Sequence, residues 1–503
     1  MKQLMHSFLG STAPPEVIAA VRQGEIAAFC LFAYSNVESP EQLRRLTMSL
    51  HEAAAEAGQP PLLIGIDQEG GQLIAIGNGA TELPGNMALG ATRSPELAEQ
   101  AGRVLGRELL AMGINMNFSP SLDINNNPKN PVIGVRSFGD DPHLVSEMGV
   151  AMIRGLQGEG VIATAKHFPG HGDTAMDSHH GTPKVFHSLE RMHAVELTPF
   201  RAAIAAGVGA VMTAHVQYMA LDDQNPATLS HAILTDLLRE EMGFTGLTIT
   251  DAMDMHAVSR VGERESIKAA LEAGVDLVLL GHLEKQLELS REVSNLAYPA
   301  SLARIQRARE NVPCEYPPLA VVGCTEHQQI AQTIADRSIT AVRGGDSLPL
   351  DLHEKQQIAV LTITPLDLTP ADTSSGVRVA LANAIRKRHD NVVALEMSYH
   401  ASDAEVREII NAASEAELVV IGTINADQDA SQAELVQVLH ARGKRVIVVA
   451  MRTPYDLIAF PMVETYLCAY SIRDATTEAV ARVLFGEIEA TGTLPCAIPE
   501  VDY

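Results

Sequence analysis

No basic cluster stands out anywhere in this chain of 503 residues, which carries 37 Lys and Arg against 62 Asp and Glu, a formal charge of −25. That balance excludes nucleic acid and anionic membrane as natural partners, because both demand concentrated positive charge. No apolar run approaches the roughly 20 residues of a membrane-spanning helix. The opening "MKQLMHSFLGSTAPPEV" has one lysine, a histidine within its short apolar run and no small-residue cleavage site, so it lacks the parts of a secretory signal and a cytoplasmic location is expected. Cys30, Cys314, Cys324, Cys468 and Cys496 are odd in number and widely spaced. They read as reduced core thiols, which suits the same compartment. Tryptophan and low-complexity runs are absent too, and with 46% hydrophobic and 20% charged residues the chain has the composition of a globular protein rather than a disordered one.

What is present is a repeated alternation. Eight short apolar runs, "QLMHSF", "AAFCLF", "LLIGID", "INMNFS", "VIATAK", "AVMTAH", "LTITDA" and "DLVLL", occupy the first 285 or so residues. Between most of them lie amphipathic stretches such as "SPELAEQAGRVLGRELLAMG", where Pro95 suits a first helical turn and Gly113 an exit. Eight βα units predict an α/β fold with a closed (β/α)8 TIM-type barrel over 1–285. A helical segment and the linker "VPCEYPP" fill 286–317. Over 318–503 the runs "IAVLTI", "VVALEM", "ELVVIGT" and "RVIVVAM" alternate with helical patterns, predicting a smaller α/β domain with a mostly parallel sheet. No Gly-rich phosphate loop follows any of these strands, so a nucleotide-binding role has no support.

Active sites of such barrels lie at the carboxyl ends of the strands. The residues ending these runs are Asp67, Asp123, Lys166 with His167, His215 and Asp251. Singly, each has a structural alternative. An Asp at a βα junction can cap the next helix or hold its own loop, and a lone His is commonly a satisfied core residue. Five strands delivering ionisable groups to one rim is harder to attribute to packing, since burying charge without partners is costly. These residues are therefore expected to converge on one substrate pocket.

The loop after the fifth run, "AKHFPGHGDTAMDSHHG", holds His167, His171, His179 and His180 with Asp173 and Asp177. A metal centre is one reading of so many ligand types. The spacing argues against it: no helical histidine pair or paired cysteine motif is present, and a Pro-Gly turn separates the first two histidines.

Taken together, "KHFPGHGDTAMDSH", "DQEGG", "ELPGNMALGAT", "NNNPKNPVIGVRSFGDDP" and "MGFTGLTITDAMDM" resemble glycoside hydrolase family 3 in its β-N-acetylhexosaminidase branch, and "RTPYDLIAFP" and "EATGTLPCAIP" resemble that family's C-terminal domain. The resemblance implies a retaining exo-β-N-acetylglucosaminidase acting on terminal GlcNAc, by analogy from cell-wall muropeptides, with no cofactor. Asp251 is implied as nucleophile, Asp254 as its structural neighbour, and Asp177 with His179 as the acid/base dyad. Asp67, Arg136, Lys166 and His167 match sugar-hydroxyl ligands, while Asp123 and His215 join the substrate-binding set by their strand-end positions. The chemistry agrees: retention needs an ionised nucleophile and a second group that gives and takes a proton near neutrality, which imidazole does without a large pKa shift.

One feature departs from the family pattern: Gln72 stands where the family usually carries Arg, which bears on leaving-group specificity. No Asp-Glu dipeptide of the kind used in acetamide-assisted hydrolysis occurs, which supports an enzyme nucleophile. Two alternatives stay open at this point. One is a β-glucosidase or broad hexosidase of the same family, whose acid would come from the second domain; the other is a sugar-binding protein without turnover.

Overall fold

The computed structural model describes residues 2–175, 181–259, 262–293 and 296–502. The loop residues Asp177, His179 and His180 lie outside them.

Each of the eight predicted runs forms a strand: β1 (Leu4–His6), β2 (Ala28–Cys30), β3 (Leu63–Ile66), β4 (Met116–Asn117), β5 (Ile162–Phe168), β6 (Ala210–Thr213), β7 (Leu247–Thr250) and β8 (Val278–Leu279). They pair in parallel in chain order. β8 pairs with β1, and a bridge between Ile249 and Leu277 joins β7 to β8, so the sheet closes. Closure removes every edge, so all the strands but β5 can be as short as two to four residues. Inward side chains such as Met5, Cys30, Met116, Phe118, Met212 and Ile249 fill the barrel. Outward ones pack under the helices in the largest core cluster.

Helix Pro95–Ala111 begins where its sequence signals it: Ser94 Oγ accepts from the Leu97 amide and Pro95 stands in the first turn. The helix packs tightly against Pro142–Gly158 through facing glycines. A Cβ on Gly155 would lie 2.1 Å from the Glu99 carbonyl oxygen, so nothing larger fits without moving a helix.

The second sheet has strands β9 (Thr340–Arg343), β10 (Ile358–Ile363), β11 (Val392–Met397), β12 (Leu418–Thr423), β13 (Arg445–Ala450) and β14 (Thr465–Cys468), in the order β9-β14-β13-β12-β10-β11. Only β9 runs antiparallel. Its core includes Met87, Ala88, Ala91 and Val135 from the first domain, so the two domains share buried apolar surface. Cys30, Cys468 and Cys496 are core thiols as expected, whereas Cys314 in the linker is exposed and Cys324 is half-buried; all five are free. No described helix is long and apolar enough to cross a membrane.

Asp276, just before β8, pins the floor of the barrel. It is fully buried and accepts from Arg239, Arg304, Ser301 and the Thr248 amide, tying two helices to β7 and β8. Asp276→Ala leaves two guanidinium groups without their shared acceptor, so a stability loss of at least about 3 kcal/mol is expected. The shift in the denaturation midpoint at constant slope measures it.

Candidate active site

At the carboxyl end of the barrel lies a cavity of about 650 Å³, within the usual range for a small-molecule site. Asp67, Arg136, Lys166, His167 and Asp251 line it together, with Asp254 and His171. Five of the sequence-selected residues thus meet in one space. Two others do not line it. Asp123 and His215 are fully buried behind its wall, and each holds a neighbour that does.

The floor is a buried charge network centred on Glu69, which the sequence reading passed over. The chain after Asp67 folds into a short antiparallel pair, Gln68–Gly70 with Leu73–Ile74. Gly70 and Gly71 make this turn at φ 91° and 63°, and a Cβ on Gly71 would sit 2.9 Å from the Pro84 carbonyl oxygen. The turn delivers Glu69 inward. Arg136 grips it with two hydrogen bonds, Nε to Oε2 at 3.0 Å and Nη2 to Oε1 at 2.8 Å, and Lys166 Nζ lies 2.6 Å from Oε1. Lys166 also donates to Asp67 Oδ1 at 2.6 Å. Burial alone would raise the Glu69 pKa, but the charges of Arg136 and Lys166 and their hydrogen bonds prevail and hold it at about 2. The same contacts hold Lys166 above its ordinary value despite its burial.

Asp123 organises the β5 loop. Its Oδ2 lies 2.6 Å from His167 Nδ1, and it accepts from the backbone amides of His167 and His171. Burial works against its charge, yet the His167 ring and the His171 amide keep it well below the ordinary carboxylate range. A carboxylate facing Nδ1 places the imidazole proton there. His167 Nε2 then points toward Arg136, 3.5 Å away.

His215 performs a comparable task for Asp251. Its Nε2 donates to the Ala252 carbonyl at 3.0 Å, which leaves Nδ1 to accept from Thr228 at 2.6 Å. Asp251 itself accepts from the Ala252 amide through Oδ1 at 2.8 Å. The residue that follows Asp251 is thereby fixed through both its N–H and its C=O.

The second domain also lines the cavity, through the loop from Asp367 to Thr373 that follows β10. Gln72 anchors that loop. Its backbone carbonyl accepts from the Thr373 amide, its Nε2 donates to the Ala371 carbonyl, and its Oε1 accepts from Arg452, which also pairs with Asp372. Among the described residues no group of three or more His, Cys, Asp or Glu is placed to hold a metal ion.

Glu69 makes the stability of the site pH-dependent. Its pKa in the folded chain, about 2, lies below the ordinary 4.5, so its contribution is complete above pH 4.5 and disappears as pH falls toward 2. Glu69→Gln is expected to destabilise the chain at pH 7 by about 3–5 kcal/mol, since it strands the buried Arg136 guanidinium and takes from Lys166 one of its two carboxylate partners. It should also flatten the acid limb of the stability profile, which urea denaturation between pH 2 and 7 measures.

Comparison with known proteins gives a consistent result over both domains. A model described as the glycosyl hydrolase family 3 N-terminal domain matches residues 2–312, and one for that family's C-terminal domain matches 344–502. Beta-hexosaminidase A of Pseudoalteromonas piscicida is 32% identical across 97% of this chain and 92% of its own length. A solved family 3 β-N-acetylglucosaminidase from Paenibacillus sp. str. FPU-7 is 36% identical and superposes with a TM-score of 0.92, covering 99% of this chain and 98% of that one. NagZ from Neisseria gonorrhoeae, solved with N-trifluoroacetyl-D-glucosamine, is 31% identical with a TM-score of 0.59 and covers 67% of this chain and 98% of its own. The chain belongs to glycosyl hydrolase family 3.

Proposed function

We propose that this chain is a retaining exo-β-N-acetylglucosaminidase that removes a terminal, non-reducing β-linked GlcNAc, with muropeptides as the natural substrate class. The observation that carries this reading is the convergence of Asp251 with Asp67, Arg136, Lys166 and His167 in one cavity. The printed activities of the relatives from Paenibacillus and Pseudoalteromonas support the choice of sugar.

In this mechanism the Asp251 carboxylate attacks the anomeric carbon as the glycosidic bond breaks, while His179 gives its proton to the departing oxygen. Asp177 holds the imidazole in the required orientation. Water then attacks the glycosyl-Asp251 ester, His179 takes its proton, and free sugar leaves with net retention. Asp67, Arg136, Lys166 and His167 hold the hydroxyls of the sugar. Asp123 and His215 act as positioning residues, the first through His167 and the second through the backbone next to Asp251.

An acid from the second domain is the rival arrangement, and two of its carboxylates line the cavity: Asp372, buried and paired with Arg452, and the more accessible Asp367. Both oxygens of Asp367 are already engaged, accepting from the Ser375 amide and hydroxyl at 2.7 Å each. That engagement favours the dyad. A panel of aryl β-GlcNAc, β-glucoside and β-xyloside substrates tests the sugar preference, and a β-glucoside turned over as well as β-GlcNAc would overturn it.

Asp251→Ala is expected to lower kcat at least ~10³-fold and to abolish the covalent glycosyl-enzyme. Mass spectrometry that found the sugar on another residue would refute the assignment. For His179→Ala the expected loss is far larger on substrates with poor leaving groups than on glycosides of very acidic phenols. Asp177→Asn gives a milder version of that pattern. Equal losses across the leaving-group series would reduce His179 to a loop-positioning role.

A further inference from the structure

We infer that the rim formed by the loops after β2 and β8 is an aromatic subsite that binds a second pyranose ring, the aglycone of the substrate. This rests on the proposed assignment of Asp251 and deepens it.

The first observation is an exposed aromatic surface at the mouth of the cavity. Tyr34 lines the cavity yet is 76% exposed, so packing does not account for it. It forms a cluster with Phe32 and His282. Phe32 and His282 have ring centroids 4.2 Å apart, Tyr34 and His282 5.4 Å, and Phe32 and Tyr34 6.1 Å. The Tyr34 hydroxyl is hydrogen-bonded to His282 Nε2.

The second observation is that this surface is rigidly mounted. Asn36, fully buried, donates to the carbonyls of Phe8 and Gly10 and accepts from the Phe32 amide, all at 2.9 Å. His282 is held through its own amide, which donates to Asp254 Oδ2 at 2.7 Å. A mobile loop would lose conformational entropy on binding, whereas a preset ring surface loses little.

The third observation is direction. The groups matched to sugar hydroxyls come from β3, β5 and the loop after β4, and Asp251 comes from β7. In a closed barrel whose strands follow in order, β8 stands next to β7 and β2 next to β3, so the loops after β8 and β2 flank the arc of the mouth between Asp251 and Asp67. A sugar with its hydroxyls on the first group and its anomeric carbon at Asp251 has its leaving group alone still free to meet that rim. An equatorially substituted pyranose has C–H bonds on its faces, and these pack against the electron-rich face of an aromatic ring. The chemistry of Tyr34 and Phe32 therefore selects a sugar ring as occupant.

The test compares two substrates that share the first sugar. GlcNAc β-azide has an aglycone too small to reach the rim, and the β-1,4-linked GlcNAc disaccharide has one that covers it. For Tyr34→Ala the ratio of kcat/KM for the disaccharide to that for the azide is expected to fall about tenfold, through KM. Tyr34→Phe, which keeps the ring, should hold the ratio within about twofold. An unchanged ratio in Tyr34→Ala, or an equal fall in Tyr34→Phe, would overturn the subsite while leaving the function intact. Failure of the unaltered chain to turn over either substrate would overturn both.

Discussion

The cavity depends on one buried carboxylate. Arg136 and Lys166 are both nearly inaccessible, and neither cation could be placed at the base of a pocket without an anion to receive it, because desolvation of an unpaired charge exceeds any nearby gain. Glu69 supplies that anion to both at once. It also fixes their geometry: a guanidinium gripped through two of its nitrogens cannot rotate, and Lys166 is held between Glu69 and Asp67. The polar wall of the cavity is therefore set before any ligand arrives, which is the condition for binding without reorganisation.

Around that centre, function is distributed one layer back. Asp123 and His215 are charged or polar residues wholly enclosed by protein, and each orients a group that does reach the cavity. The second domain acts on the same space from above. Gln72 bonds the Asp367–Thr373 loop through main chain and side chain together, and Arg473 donates to the Gly71 carbonyl beside it. The turn that carries Glu69 is thus braced by both domains, so displacement of the second domain would be felt in the charge network itself.

Much of this architecture is readable from the residues in order. The barrel strands announce themselves as apolar runs at regular spacing, and their terminal residues identify the face of the barrel that holds the cavity. Position at a strand end does not determine side-chain direction, which is why Asp123 and His215 resemble cavity residues in sequence and lie behind the wall in the fold. Glu69 did leave a signal: in an extended segment, residues two apart share a side, so Asp67 and Glu69 point the same way. The contribution of the Asp367–Thr373 loop left none, because it arises from contacts across some 300 residues of sequence, as between Gln72 and Thr373. The Asp177 and His179 assignment rests on sequence motif and chemistry.

The two sides of the cavity mouth are built on opposite physical principles, and this bears on how one barrel could be strict about one sugar and permissive about the next. On the β3 to β5 side, fixed charges meet in a dry setting where a misplaced hydroxyl leaves an ionic group unsatisfied, a penalty of about 1–3 kcal/mol or more. That side discriminates sharply. On the β8 to β2 side, Tyr34, Phe32 and His282 offer ring faces, whose attraction is broad and tolerates shifts in position. A ligand held there gains affinity with little demand on its substitution pattern. Under the proposed function, the first sugar is read by charge and hydrogen bonding and its neighbour by surface contact alone. Recognition of the reacting sugar then requires no matching precision in the group that leaves.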